Sequence, residues 1–199
     1  MFDGYKIILG SASEGRRSIF ERVFKEFVVI TPDVDEVMSS YRLGRYRHNP
    51  IMLSMFLSYI KNLDVQSKVL ETDKYIVFTF DTVVVHQGDI KGKPESKEVA
   101  LEWFYSYRED FQEIVTSYSI YISDIDIIIN DFDVSTVYFK SVPDEEIENY
   151  IRNNPVTNWA GGIAIERAQG FFNILNGDLD SIIGVPTKKM IDQINKLIR

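Results

Sequence analysis

Hydrophobic positions recur at two different spacings along this 199-residue chain, and the spacing changes several times from one end to the other. Short apolar runs at Lys6–Leu9 and in FVVITP (residues 27–32) predict two strands near the start of the chain. Between them, the loop GSASEGRR leads into a predicted helix with apolar residues on one face: Ile19, Phe20, Val23, Phe24 and Phe27. The polar stretch at residues 33–50 predicts a long loop.

The middle of the chain repeats this alternation of helix and strand. After Pro50, apolar residues form a helical stripe that leaves Lys61 on the polar side, where a lone lysine is usually solvated: Met52, Met55, Phe56, Tyr59, Ile60 and Leu63. The strand around Asp81 ends in the turn HQGD. The segment GKP then leads into a helix with four inward-facing residues: Val99, Trp103, Phe104 and Tyr107.

The second half of the chain is richer in strand-forming residues. EIVTSYSIYI (residues 113–122) and VSTVYFK (residues 134–140) predict antiparallel neighbours, and DIDIIINDFD between them predicts a further strand and a turn. A short helix after Ser141, a glycine-hinged loop in NWAGGIAIE, a strand in FFNIL and a last helix capped by Thr187 complete the chain. No linker divides these elements, so we expect one α/β (α+β) domain over residues 1–199 with a mixed sheet.

Composition narrows the class of protein. The net charge of −8 argues against a binder of nucleic acid polymers, which needs basic patches, but it leaves room for a small phosphorylated ligand. Cysteine is absent, which excludes disulfides and thiolate chemistry. No apolar run approaches the roughly 18 residues of a membrane span, so we expect a cytoplasmic protein that does not bind membranes.

Asp81 interrupts a run of strand formers, YIVFTFDTVVV. Taking an ionised carboxylate out of water without partners costs several kcal/mol. Either this strand is exposed on one face, or Asp81 has a positively charged partner. Strand alternation directs Phe80 and Thr82 to the opposite face. A structural role and a role as a base are equally open for Asp81 at this point.

The loop SASEGRR follows a strand and opens a helix, where backbone N–H groups and the helix dipole favour an anion. Ser11 and Ser13 are hydroxyl donors, and Arg16 or Arg17 can form paired hydrogen bonds with phosphate oxygens. The spacing of a Walker loop is missing. The alternative is a solvated serine turn with two surface arginines.

Three further features have a functional and a plain interpretation. Lys93 lies in the stiff turn GKP, twelve residues after Asp81, but a turn lysine is a weak signal. The acidic cluster DVDE, which includes Glu36, either shares a divalent cation or is solvated. The basic segment Arg42–His48 is either a mobile flap over a ligand or ordinary surface. Exposed aromatic residues are candidates for a homodimer surface: Tyr41, Tyr46 and Tyr118.

Five stretches, in order along nearly the whole chain, resemble the motifs of one family. They are ILGSASEGRR at the start, the helix of Pro50, Leu57 and Lys61-Asn62, DTVV at Asp81 followed by GKP, AGGIAIER (residues 160–167) and GDLDSIIGVP (residues 177–186). Together they resemble the Maf, or septum-formation-inhibitor, family of nucleoside triphosphate pyrophosphatases.

The resemblance implies an elongated fold with a bent mixed sheet and a cleft between two lobes. It implies hydrolysis of a nucleoside triphosphate to the monophosphate and pyrophosphate, assisted by Mg²⁺ or Mn²⁺, as nucleotide-pool house-cleaning. Asp81 is similar to the family's catalytic carboxylate, with Glu36 as a second metal ligand. Lys61 and Lys93 would be catalytic residues beside Asp81, since they would carry the triphosphate and the charge that develops on the leaving pyrophosphate. The substrate-binding residues would be Ser11, Arg16, Thr82 and Glu166.

Several positions depart from the family pattern. Where the family has Pro-Arg-Arg, this chain has Glu14-Gly15-Arg16, so the first of the family's two arginines is missing. Arg17 is a candidate replacement for it. At the position of Glu166, glutamate is typical of members that resemble 7-methyl-GTP hydrolases. At the position of Thr82, threonine is typical of the dTTP/UTP type, so both substrate classes stay open. The altered loop also keeps open a nucleotide-binding regulator of cell division without turnover.

Overall fold

The computed structural model describes residues 2, 4–70 and 73–198, and it contains one mixed sheet flanked by helices. The strands are β1 (Lys6–Gly10), β2 (Val28–Val29), β3 (Tyr75–His86), β4 (Asp89–Lys91), β5 (Phe111–Ile122), β6 (Ile127–Phe139) and β7 (Phe172–Asn176). The α-helices are α1 (Glu14–Val23), α2 (Glu36–Ser40), α3 (Pro50–Lys68), α4 (Lys97–Tyr107), α5 (Asp144–Asn153), α6 (Leu179–Ile183) and α7 (Thr187–Leu197). The predicted α/β class is confirmed.

The sheet runs in the order β2-β1-β3-β5-β6-β7, and β4 pairs with the end of β3. β2, β1 and β3 are parallel, whereas β5, β6 and β7 continue the sheet in antiparallel pairs. Gly10, the last residue of β1, pairs with Thr79 in the middle of β3. The loop that follows β1 therefore emerges beside Asp81, two residues further along β3.

Two hydrophobic clusters share one face of the sheet. One packs α1 and α7 around Phe20 and Phe80, and the other packs α4 and α5 around Phe104 and Phe139. On β5, Tyr118 belongs to the first cluster and Ile114 to the second. Between them on this face lies Thr116, opposite Thr82 of β3, so the two threonines mark the boundary between the clusters.

The other face of β3 and β5 is covered by α3, and this contact is largely polar. The buried residues of α3 are Ser54, Leu57, Ser58, Lys61, Asn62 and Val65. The predicted apolar stripe of this helix is mostly on its outer sides: Met52 and Leu63 are exposed. Lys61 is only 7% exposed, so its placement on a solvated polar side was wrong.

Hydrogen bonds accompany the apolar packing of Val65 and Leu57 in this contact. Asn62 Nδ2 donates to the carbonyls of Val77 and Ser119 at 3.3 and 2.8 Å. Thr79 Oγ1 donates to the carbonyl of Ser58 at 2.7 Å. Because these bonds need specific distances, they fix the height and rotation of α3 over the sheet. They thereby fix the position of Lys61.

Three segments differ from their predictions. The predicted loop at residues 33–50 contains α2 and a 3-10 helix at Tyr41–His48, because Asp35 caps α2 by accepting a hydrogen bond from the Met38 N–H. DIDIIINDFD is a turn followed by the first half of β6, so it is continuous with VSTVYFK. Helix α6 was not predicted.

Smaller details also differ. Helix α1 ends at Val23, so Phe24 and Phe27 follow it. Thr187 begins α7 but makes no cap bond, because its hydroxyl donates to Asp180 Oδ2 at 3.0 Å. Tyr118 is fully buried and cannot belong to a dimer surface. The predicted HQGD turn is confirmed, with positive φ at Gln87 and Gly88. Within the described ranges, no helix has the length and apolarity needed to cross a membrane.

Candidate active site

A cleft of about 810 Å³ opens between the two hydrophobic clusters. All eight of the predicted site residues line it: Ser11, Arg16, Glu36, Lys61, Asp81, Thr82, Lys93 and Glu166. They come from the loop after β1, from α1, α2, α3 and β3, from the turn before α4, and from the loop after α5. The fold thus brings together residues that are distant in the sequence.

At the centre of the cleft, Lys61 joins two carboxylates. Its Nζ lies 2.6 Å from Asp81 Oδ1 and 2.7 Å from Glu36 Oε1. Asp81 is 6% exposed, so its strand does not have an exposed face at this position. The alternative, a positively charged partner for the carboxylate, is what the structure shows. The second oxygen, Asp81 Oδ2, is buried and has no hydrogen-bond partner within the described chain.

Burial and charge act in opposite directions on these groups. Burial lowers the pKa of Lys61, but Asp81 and Glu36 outweigh it and hold that pKa above its usual value, so the ammonium stays charged. Burial, together with the nearby charge of Glu36, raises the pKa of Asp81 more than Lys61 and Arg16 lower it. Burial also raises the pKa of Glu36, but Lys61 and Lys93 together bring it below its ordinary value. Asp81 is therefore the stronger base of the two carboxylates.

Lys93 approaches the same cluster from the other side. Its Nζ lies 3.5 Å from Glu36 Oε2, and more than half of its side chain is exposed. The glycine-hinged loop holds this turn in place, because the Gly161 N–H donates to the carbonyl of Gly92 at 2.8 Å. Gly161 has a φ of +65°, and a Cβ there would meet Val84 at 3.0 Å, so the loop needs glycine to pack this closely.

Arg16 lies against the backbone of β3 next to Asp81. Ser13 caps α1 by accepting from the Arg16 N–H, which places the side chain one turn into the helix. Its guanidinium donates from Nη1 to the Phe80 carbonyl at 3.2 Å and from Nη2 to Thr82 Oγ1 at 3.0 Å. Burial lowers the pKa of Arg16, while Asp81 and Glu36 oppose that shift, and the guanidinium remains charged.

The model of the Maf-like protein family matches residues 6–197 of the chain. This chain belongs to the Maf family. Among curated proteins, the 7-methyl-GTP pyrophosphatase of Dictyostelium discoideum is 30% identical over 96% of the chain and 98% of its own length. The dTTP/UTP pyrophosphatase of Alkaliphilus metalliredigens is 31% identical over 96% and 95%, and that of Clostridium tetani is 33% identical over 92% and 93%.

In this Maf protein, Arg17, the candidate replacement for the missing first arginine, does not line the cleft. Its side chain points outward, where Nε donates to Glu21 Oε1 at 3.1 Å, and it does not line the cleft. A different arginine does: Arg167, which lies on the opposite rim and reaches Glu14 at 3.4 Å. Sequence reasoning missed Arg167, although it directly follows Glu166 in a matched motif.

Trp159 of this Maf protein was not predicted from the sequence as a residue of the cleft. Trp159 lines the cleft, and its ring centre lies 5.7 Å from the guanidinium carbon of Arg167. Its only sequence signal was its place in a glycine-rich loop.

The segment Arg42–His48 is an exposed 3-10 helix, and none of its residues lines the cleft in this conformation. The prediction that the segment closes over a ligand stays a prediction.

The acidic cluster DVDE does not form one site. Asp35 caps α2, and the Asp33 N–H donates to Asp64 Oδ2 at 2.9 Å. Only Glu36 reaches the cleft. In the part of the chain that the structure describes, no group of three or more histidine, cysteine or acidic side chains is arranged to hold a metal ion.

Proposed function

We propose that this chain is a nucleoside triphosphate pyrophosphatase, which hydrolyses its substrate to the nucleoside monophosphate and pyrophosphate. The observation that carries the proposal is the buried Lys61–Asp81 pair on the floor of a cleft that is lined by further cations. The names of the curated relatives support the same reaction. House-cleaning of the nucleotide pool in the cytoplasm is the setting that we propose for it.

The cations of the cleft suit a triphosphate. Lys61, Lys93 and Arg16 present ammonium and guanidinium groups, and Arg16 still has N–H donors beyond the two that β3 occupies. Ser11 Oγ accepts from the Ser13 N–H at 3.2 Å, which leaves its own proton free to donate to a phosphate oxygen. Together these groups would hold the phosphates and stabilise the charge that develops on the leaving pyrophosphate.

Asp81 is the residue that we propose as the general base. Its raised pKa makes it a better proton acceptor than an ordinary carboxylate, and Lys61 keeps it oriented. A water oxygen would attack the α-phosphorus while Asp81 takes its proton. The bond from the α-phosphorus to the bridging oxygen then breaks, and pyrophosphate leaves with that oxygen.

A divalent cation fits the donor set. Asp81 Oδ2 is a buried carboxylate oxygen with no hydrogen-bond partner among the described residues, and Glu36 adds a second carboxylate. Carboxylate oxygens are the hard ligands that Mg²⁺ and Mn²⁺ prefer. When bound, such an ion would polarise a phosphoryl oxygen and lower the pKa of a bound water. Asp81 and Glu36 are the residues that we propose to hold it.

A regulator that binds nucleotides without turnover is the alternative. It is disfavoured because two carboxylates beside a triphosphate weaken simple binding, whereas a hydrolase needs a base there. The test is pyrophosphate release with Mg²⁺ or Mn²⁺ from dTTP, UTP, CTP, 7-methyl-GTP and the common ribonucleotides. We expect release by the wild-type chain and a loss of at least about 100-fold in Asp81→Asn, the usual range for a removed base. Asp81→Asn should still bind the nucleotide; no release from any substrate would overturn the proposal.

A further inference from the structure

Glu14 and Arg167 form an ion pair between the two rims of the cleft. Glu14 is the first residue of α1, and Arg167 lies in the loop after α5. Arg167 Nη2 lies 3.4 Å from Glu14 Oε2, and both residues line the cleft. The Arg167 side chain is 49% exposed and that of Glu14 is 90% exposed. An ion pair this open to water is weak, so an anionic ligand can displace the Glu14 carboxylate.

The neighbours of this pair show how closely the two rims approach each other. A Cβ on Gly15, next to Glu14, would lie 2.9 Å from Oε1 of Glu166, next to Arg167. Arg17, in contrast, points away from the cleft toward Glu21. Arg167 therefore brings a cation to the first turn of α1 from the opposite rim.

The ring of Trp159 supports the guanidinium of Arg167. The guanidinium carbon lies 5.7 Å from the ring centre, which is the distance of a cation–π contact, and Trp159 also lines the cleft. This contact restrains the long side chain without using any of its hydrogen-bond donors. A guanidinium has five N–H donors, and the bond to Glu14 uses one of them. Arg167 is thus already held beside the cleft with donors to spare for an oxyanion.

We propose that Arg167 is a further substrate-binding residue of this Maf protein, which binds phosphate oxygens of the nucleotide, and that Glu14 is its counter-ion while the cleft is empty. The inference rests on the proposed function, because it takes a nucleoside triphosphate as the ligand. The N-terminus of α1 favours an anion, and Glu14 supplies one in the empty cleft. A triphosphate carries several charges and offers paired oxygens to a guanidinium, so it displaces a single exposed carboxylate.

A contact with the phosphates has a consequence for the kinetics. All nucleoside triphosphates share these groups, so removing Arg167 should weaken every nucleotide by the same factor. The exposed rim lies away from the buried Asp81, so the contact would be equal in the ground state and the transition state and would act mainly on KM. Removing the charge of Glu14 should have the opposite effect, because it releases Arg167 and removes a carboxylate that repels the triphosphate.

The test measures kcat and KM of Arg167→Gln and Glu14→Gln with dTTP, UTP and 7-methyl-GTP. We expect KM to rise about tenfold in Arg167→Gln, the low end for a hydrogen bond to a charged group, with kcat nearly unchanged. In Glu14→Gln, KM should fall about twofold to fivefold, the range of an exposed ion pair. Arg17→Gln and Glu21→Gln are the matched controls, because this pair lies on the same helix, is 64% and 57% exposed, and does not line the cleft.

Inorganic tripolyphosphate distinguishes a phosphate contact from a contact with the base. In calorimetry with Mg²⁺ present, this base-free anion should bind about tenfold more weakly to Arg167→Gln than to the wild-type chain or Arg17→Gln. Unweakened tripolyphosphate binding in Arg167→Gln, or a rise in KM no larger than that in Arg17→Gln, would overturn the inference while turnover by the wild-type chain supports the proposed function. A wild-type chain without turnover of any nucleotide would overturn the proposed function, and tripolyphosphate binding would still decide the role of Arg167.

Discussion

Lys61 Nζ lies 2.6 Å from Asp81 Oδ1, and both side chains are more than nine-tenths buried. The same ammonium lies 2.7 Å from Glu36 Oε1, so one cation serves two carboxylates. Lys93 and Arg16 add two more positive charges at the edge of this group. These five groups together have one more positive than negative charge, which favours an anionic ligand at this point of the cleft, and Lys61 also offsets the cost of burying Asp81.

Replacing Lys61 should therefore damage both stability and activity. We expect Lys61→Met to lower the free energy of unfolding by about 3–5 kcal/mol at neutral pH, because it leaves Asp81 buried without a counter-ion. The loss should shrink as the pH is lowered, since protonation neutralises the isolated carboxylate. Urea unfolding at pH 7 and pH 5 measures both effects.

Lys93→Met is the matched control for that substitution. Lys93 also contacts Glu36, but its side chain is 56% exposed and the distance is 3.5 Å. An ion pair of this kind contributes about 0–1 kcal/mol, so stability should hardly change while pyrophosphate release falls. Equal stability losses in the two variants would contradict the assignment of Lys61 as the buried counter-ion.

The pH dependence of turnover follows from Asp81. Because burial raises its pKa above the ordinary value of 3.8, the base becomes protonated, and turnover is lost, at a higher pH than an ordinary carboxylate would cause. We expect the acid limb of kcat/KM to have its midpoint above 3.8 and to move to lower pH as Mg²⁺ is increased, because a nearby cation favours the ionised form. A midpoint at or below 3.8, or one insensitive to Mg²⁺, would contradict the proposed role.

The sequence was sufficient to predict most of the strands, because local spacing carries that information. The eight residues that it proposed for the site all line the cleft, and their roles stay predictions. It placed Lys61 wrongly because the apolar stripe of α3 does not mark its buried face. That face is mostly polar, with four polar residues beside Leu57 and Val65. Its polar partners lie on strands that only the tertiary fold brings under the helix. Arg167 was missed for the same reason, because its contact with Glu14 joins residues that are distant in the sequence.

Gly184 tests how tightly Arg16 is packed. Its φ is +116°, and a Cβ would lie 2.7 Å from Arg16 Nε and 3.0 Å from Thr82 Oγ1. We expect Gly184→Ala to destabilise the protein by about 1–3 kcal/mol through backbone strain and to lower turnover by displacing the guanidinium. Gly170→Ala is the control, because Gly170 has no positive φ and a Cβ there would meet nothing within 4 Å. Unaltered turnover in Gly184→Ala would show that Arg16 tolerates displacement.

Glu166, which also lines the cleft, is a marker of base preference alongside Thr82. Its carboxylate lines the cleft and has no hydrogen-bond or ion-pair partner among residues 2, 4–70 and 73–198. A Cβ on Gly15 would lie 2.9 Å from Glu166 Oε1, so the glycine that replaces the family's arginine also makes room for this carboxylate.

We expect Glu166 to favour a base whose edge donates two N–H groups, as guanine and 7-methylguanine do, because a carboxylate only accepts. Glu166→Gln should then lower kcat/KM for 7-methyl-GTP by about tenfold or more, the loss for a charged hydrogen bond, and should raise the relative rate with dTTP and UTP. Arg167→Gln on the same rim is the control for a change of charge alone. A wild-type preference for dTTP or UTP that Glu166→Gln leaves unchanged would show that other groups select the base.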